Sequence, residues 1–183
     1  MTRWLGPLAV FALFAGGAHW LVLDRAPSVI MGAAMDKLAE RGVPLHRFAL
    51  SPPMTPQTQT VVRPAPDLSY SVCRFDFAEL DGPLRVRMGA YDGYSSLSFF
   101  DSETNNFATV RGDGEAREVV LLAPRIDTTG DALTAPTQTG VILIRRLTPN
   151  AAARERVVAA SAKDICAPAK MALRPLPTSA KGG

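Results

Sequence analysis

A chain of 183 residues with 47% hydrophobic and 20% charged residues has the makeup of one globular domain plus an accessory segment, which excludes wholesale disorder. Its formal charge of +3 comes from scattered lysines and arginines rather than a basic face interleaved with aromatics, so no nucleic-acid partner is expected. Two cysteines, Cys73 and Cys166, exclude a zinc ribbon and a disulfide-dense scaffold and leave room for one bridge.

Residues 4–23 carry no Asp, Glu, Lys or Arg. About 20 apolar residues rising 1.5 Å each match a hydrocarbon core of ~30 Å. Trp4 and Trp20 stand near the two ends, where indole rings favour the interface. Residues 1–25 are therefore expected to be a transmembrane anchor whose first partner is membrane lipid. The alternative is a cleaved signal, with Leu5 to Phe14 as its apolar stretch and Gly16-Gly17-Ala18 as its small residues. The apolar run continues through Trp20-Leu21-Val22-Leu23, past that cut, which favours the anchor. Long exported segments translocate with little regard for flanking charge. The expected placement is single-pass in the inner membrane, N-terminus cytoplasmic, with the rest of the chain periplasmic.

Residues 26–42 predict a separate amphipathic helix. Pro27 suits a first turn. Met31, Ala34, Met35 and Leu38 share one face, while Asp36, Lys37, Glu40 and Arg41 lie opposite. Gly42 is a natural stop. The apolar stripe serves packing on the next domain or on the bilayer surface. Residues 43–60 are rich in Pro, Thr and Gln and read as an extended linker, with His46 near its start.

Residues 61–149 predict a β body. From residue 69 to 77 the pattern alternates, placing Cys73, Phe75 and Phe77 on one face and Arg74 and Asp76 on the other. Leu84, Val86 and Met88 alternate with Arg85 and Arg87. Residues 94–100 form a third strand, followed by a polar turn at 101–106. Residues 107–111 and 118–123 predict a hairpin around Gly112-Asp113-Gly114. A loop over 124–136 precedes a strong strand over 141–147. Six or so short strands indicate an all-β sandwich or partial barrel. Asn150 can cap a helix that starts at Ala151, giving a C-terminal helical segment over 150–166 in which Arg154 and Arg156 face solvent and Val157 and Val158 pack. Residues 167–183 lack any pattern and read as a disordered tail.

No nucleophile elbow, S-x-x-K or H-E-x-x-H motif is present. With His46 the sole histidine outside the span, no metal site and no cofactor are expected. Asp67, Asp76, Asp101, Asn105 and Asn106 fall at strand ends or turns. Paired carboxylates there offer acid–base chemistry, and the oxygen-rich turn 101–106 offers a hard-cation site. The simpler role is structural, since Asp and Asn in turns bond their own backbone. Tyr70 and Tyr94 belong to an aromatic group that serves either core packing or ligand stacking. A bridge between Cys73 and Cys166 would stabilise an exported body, although two cysteines need not meet.

Val61-Val62-Arg63-Pro64, Asp67-Leu68-Ser69-Tyr70-Ser71, Gly82-Pro83, Tyr94-Ser95-Ser96 and Thr104-Asn105-Asn106-Phe107 resemble a bacterial family catalogued as domain of unknown function 1254. The resemblance covers about residues 27–149. It implies a mainly β, jelly-roll-like antiparallel sandwich, here with an N-terminal transmembrane helix and short flanking helices. It implies no established activity. Longer members carry a second β domain, so a protein bearing that companion domain is a possible partner. Two readings result: a membrane-anchored envelope protein acting as a binding or assembly module, or an envelope enzyme using the acidic residues, with or without a bound divalent cation.

Overall fold

In the computed structural model, which describes residues 5–53, 65–126 and 132–169, the chain opens with α1, Leu5–Glu40, a single helix of 36 residues. The sequence predicts a break between an anchor and an amphipathic helix; the structure has none. Pro27 lies inside α1. Its missing N–H removes one bond, to the carbonyl four residues earlier, and the Ser28 hydroxyl donates to the Arg25 carbonyl at 3.0 Å beside it. The helix-favouring run that follows carries the helix on. Beyond Pro27, Met31 is buried and Met35 and Leu38 are half-buried, spaced four and three residues apart on one face. Gly42, at φ +78°, ends the helix: its N–H donates to Ala39 and that of Val43 to Leu38. This pair of bonds is a Schellman stop, which needs the left-handed φ that glycine adopts freely.

Among the described residues nine strands follow: β1 Ala49–Leu50, β2 Leu68–Asp76, β3 Leu84–Met88, β4 Ser95–Asp101, β5 Asn106–Arg111, β6 Arg117–Leu122, β7 Leu133–Thr134, β8 Thr139–Leu147 and β9 Ile165–Pro168. Helix α2, Ala151–Ser161, lies between β8 and β9. The strands form two sheets, one ordered β1-β2-β8-β4-β5 and the other β7-β6-β3-β9. All pairings are antiparallel except β6 with β7. α1 lies against β8.

One apolar core is built by both sheets. Cys73 and Phe75 of β2, Leu97 and Phe99 of β4 and Ile142 and Ile144 of β8 meet Leu84, Val86 and Met88 of β3, Leu121 of β6 and Cys166 of β9. Period-two alternation does the sorting, since successive side chains of a strand face opposite ways. Cys73 and Cys166 are joined by a disulfide with Sγ atoms 2.06 Å apart, so one covalent link ties the two sheets.

The structure corrects four further expectations. The predicted hairpin does not form: β5 pairs with β4 and β6 pairs with β3, in different sheets. The chain leaves β5 at Gly112, whose amide donates to Ser95 and where any Cβ would lie 2.0 Å from the Ser95 hydroxyl; local turn chemistry resembles a hairpin, but the close approach steers the chain across. The segment read as a linker is ordered over its first half. Leu45 bridges Arg74, β1 lengthens the sheet beside β2, and the Arg74 guanidinium donates to the Val43 carbonyl. Cys166 sits on a strand rather than in a helical segment, because β9 turns back to pair with β3 and takes Ala167 and Pro168 from the predicted tail. On α2, Val157 is buried as predicted, but Val158 is half exposed and Arg154 is half-buried. Residues 1–4, 54–64, 127–131 and 170–183 lie outside the described residues, so Trp4, the Val61–Pro64 motif and most of the tail do too.

Candidate functional site

The register of the five-stranded sheet divides the residues singled out in the sequence into two groups. Leu68 pairs with Leu147, and Ser95 with Arg146, so Asp67, Tyr70 and Tyr94 lie at one end. Asp76 pairs with Thr139, and Asp101 with Gly140, so Asp76, Asp101, Asn105 and Asn106 lie at the other. A nine-residue strand at about 3.3 Å per residue keeps the groups some 25 Å apart.

At the second end the polar groups organise backbone. Asp101, 3% exposed, accepts from the amides of Glu103 and Asn105 at 2.9 Å and from the Asn105 side chain at 3.0 Å. The 101–106 turn is thus wound around its own carboxylate, with Thr104 at φ +67°. Asn106 accepts from Thr109. Asp76 caps a 3-10 turn over Phe77–Glu79 by accepting from Ala78 at 2.8 Å. His46 Nε2 stands 3.1 Å from the Asp76 amide and 3.0 Å from its carbonyl, which pins the segment before β1 to the end of β2. Asp76 and Asp101 flank β8 and stand two strand spacings apart, about 10 Å.

At the first end, Asp67 is exposed and its carbonyl accepts from Thr148. The Tyr70 hydroxyl accepts from the Ala65 amide at 3.1 Å. Tyr94 is 49% exposed. Behind them lies a polar network that the sequence reading missed. Ser69, Ser95 and Arg146 occupy the core-facing side of the sheet here and are all but inaccessible. Arg146 donates to both carboxylate oxygens of Asp164, at 2.9 and 2.6 Å, and to the Gly89 carbonyl at 3.2 Å. Asp164 also accepts from the Gly89 amide. Arg154 of α2 donates to the Ser69 hydroxyl and the Ser51 carbonyl at 2.9 Å, and Thr148 donates to Ser69 at 2.7 Å. The Tyr91 hydroxyl donates to Leu147 at 2.5 Å.

This end therefore clamps α2 and β9 onto the strand termini. The alternation Ile142-Ile144-Arg146 was the signal for it, since it puts Arg146 on the buried face. Two buried atoms, Ser71 Oγ and Arg146 Nε, have no partner among the described residues. Outside the network, an open hollow of about 370 Å³ is lined by Tyr91, Asp92, Arg156 and Lys163 among others, with Arg156 3.4 Å from Asp92. On the second sheet, Arg85 and Glu118 pair across β3 and β6 at 2.8 Å. The hydrogen bond from Arg85 holds the Glu118 carboxyl below its ordinary range and raises Arg85 in return.

The two-sheet body over the described residues coincides with a family match. The family model described as "Protein of unknown function (DUF1254)" matches residues 45–168. The chain belongs to this family. Among solved structures, the DUF1254 body is similar to the VPA0106 protein from Vibrio parahaemolyticus, at 13% identity and TM-score 0.55 over 76% of this chain and 34% of that one. It is also matched to an uncharacterised protein from Burkholderia cenocepacia, at 17% identity and TM-score 0.40 over 59% of this chain and 32% of that one. The chain thus spans about a third of the length of each. The first likeness concerns the fold alone. No curated protein matches the chain.

Proposed function

We propose that this DUF1254 member is a single-pass inner-membrane protein, N-terminus cytoplasmic, whose periplasmic β body acts as a binding or assembly module of the cell envelope. The observation that carries the reading is α1: an apolar helix long enough to cross a bilayer that runs without a break into the turns where Met31 is buried. Anchor and body are thereby one piece. The Cys73–Cys166 disulfide fits an oxidising compartment. The shared core and the passage of β2, β3 and β4 between alternate sheets support a jelly-roll-like sandwich as the body's architecture. A protein carrying a companion β domain is the partner proposed, on the family resemblance alone.

The enzymatic reading has less support. Asp67 and Asp101 sit at opposite ends of one sheet, and the Asp101 carboxylate is already engaged by its own turn. The test is copurification of the full-length chain from detergent-solubilised membranes, with the retained proteins quantified. A stoichiometric partner is the expected result. Recovery of the chain alone overturns the assembly role.

A further inference from the structure

Helix α1 presents two different faces beyond Leu23. Met31, Met35 and Leu38 turn toward the β body. Asp24 stands two turns before Met31 on that same side, and its carboxylate holds the Arg25 guanidinium at 3.1 Å. The opposite side runs through Val22, Val29 and Ala33, flanked by Ile30. Val22, Val29 and Ile30 are 62%, 68% and 60% exposed, and Ala33 is exposed as well. Arg25, with its side chain 71% exposed, borders this strip about 40° round the helix from Val29, and further charge enters this side at Asp36, Lys37 and Glu40, all exposed. The centre of the outward strip is therefore uncharged from Leu5 to Ala33, and at 1.5 Å per residue this is about 43 Å, longer than the ~30 Å hydrocarbon core.

We propose that lipid covers the whole of this strip, so that the β body is seated on the bilayer instead of standing off it on a stalk. The inference rests on the membrane-span reading above, and the continuity of the strip with the span decides the occupant. The strip through Val22, Val29 and Ala33 is apolar below and above Asp24, and Arg25 at its edge has an aliphatic stem that lies along apolar surface while its guanidinium reaches up to Asp24, so the strip has one continuous solvent. A hydrophobic stretch longer than the bilayer is accommodated by tilt. Tilting toward the Val22–Ala33 side lowers that strip into the interface and leaves Asp24 on the upper side, with the Arg25 guanidinium drawn up to it among headgroups. The body packed on Met31 then comes down onto the membrane surface.

The test places single fluorescent thiol labels on the full-length chain in phosphatidylethanolamine–phosphatidylglycerol vesicles, using Val29→Cys, Phe14→Cys and Glu40→Cys without reductant, because Cys73 and Cys166 are bonded to each other. Quenching is read from nitroxides carried on lipid chains and from aqueous iodide. A label at position 29 is expected to be quenched by shallow lipid nitroxide and shielded from iodide several-fold relative to position 40, with position 14 quenched by deep nitroxide. Iodide access at 29 equal to that at 40, with 14 still deep, overturns the seating and leaves the span standing. Iodide access at 14 overturns both. Shielding of 29 from iodide and lipid alike overturns the proposal too, and disulfide cross-linking of Ile30→Cys between copies would then identify a second copy as the cover.

Discussion

At the scale of single residues, burial separates the charges that hold this molecule together from those that decorate it. Arg146 and Asp164 have side chains 1% and 0% exposed. Removing one member of such a pair leaves an uncompensated charge in the interior, a cost of about 3–5 kcal/mol. Asp164→Ala is expected to lower the thermal unfolding midpoint of the detergent-solubilised full-length chain by many degrees, and an unchanged midpoint would show that the network is not structural. Arg85 and Glu118 are nearly half exposed, so Glu118→Gln is expected to leave that midpoint in place. The depressed Glu118 carboxyl contributes stability that is present above the ordinary carboxylate range and lost as pH falls through its lowered value, a small effect for so exposed a pair. Asp101→Ala strips the acceptor from two amides of a nearly buried turn, a loss of about 1–3 kcal/mol. Asp67→Ala removes an exposed side chain and is expected to unfold with the wild type. If Asp101→Ala also unfolds with the wild type, the turn does not depend on its carboxylate.

At the scale of elements, the six longer strands were legible because alternation writes the buried face into the sequence, as at Leu84-Arg85-Val86-Arg87-Met88. β1, β7 and β9 were not, because two to four residues carry no readable period, and Pro168 made the last of them resemble a tail. Gly42 announces the helix stop, whereas Pro27 resembles a boundary although a helix with good formers on both sides absorbs one missing bond. The turn role of Asp101 was visible in its chemistry. Its separation from Asp67, and the meeting of Arg154 with Ser51 and Ser69, depend on register and on long-range packing, which no local pattern encodes. β8 offers a sharp test at this scale. A Cβ at Gly140 would lie 2.2 Å from the Phe100 carbonyl and 2.6 Å from the Phe75 ring. Gly140→Ala therefore has to displace both neighbours of the strand, at a cost of about 3 kcal/mol or more, measurable as a lowered urea midpoint.

At the scale of the whole molecule, the Cys73–Cys166 bridge spans a sequence separation of 93 residues. Closing a loop of this size is worth roughly 4–5 kcal/mol in the chain-entropy description. The double variant Cys73→Ser with Cys166→Ser is expected to unfold at a clearly lower urea concentration than the oxidised wild type. Reductant is expected to shift the wild type to the same point and leave the variant unmoved; a reductant-sensitive variant would show that the bridge is not the source. Pairing order has a further consequence, for how the chain is made. β2 has its main partner in β8 and β3 has partners in β6 and β9, so early strands lean on late ones. At roughly 5–20 residues per second of synthesis, β2 waits several seconds, with its edge open, for the residues that close it. The body cannot assemble piece by piece behind the ribosome; it stays an unfinished, adhesive chain until its last strand is free, and that interval is when a holding chaperone matters most.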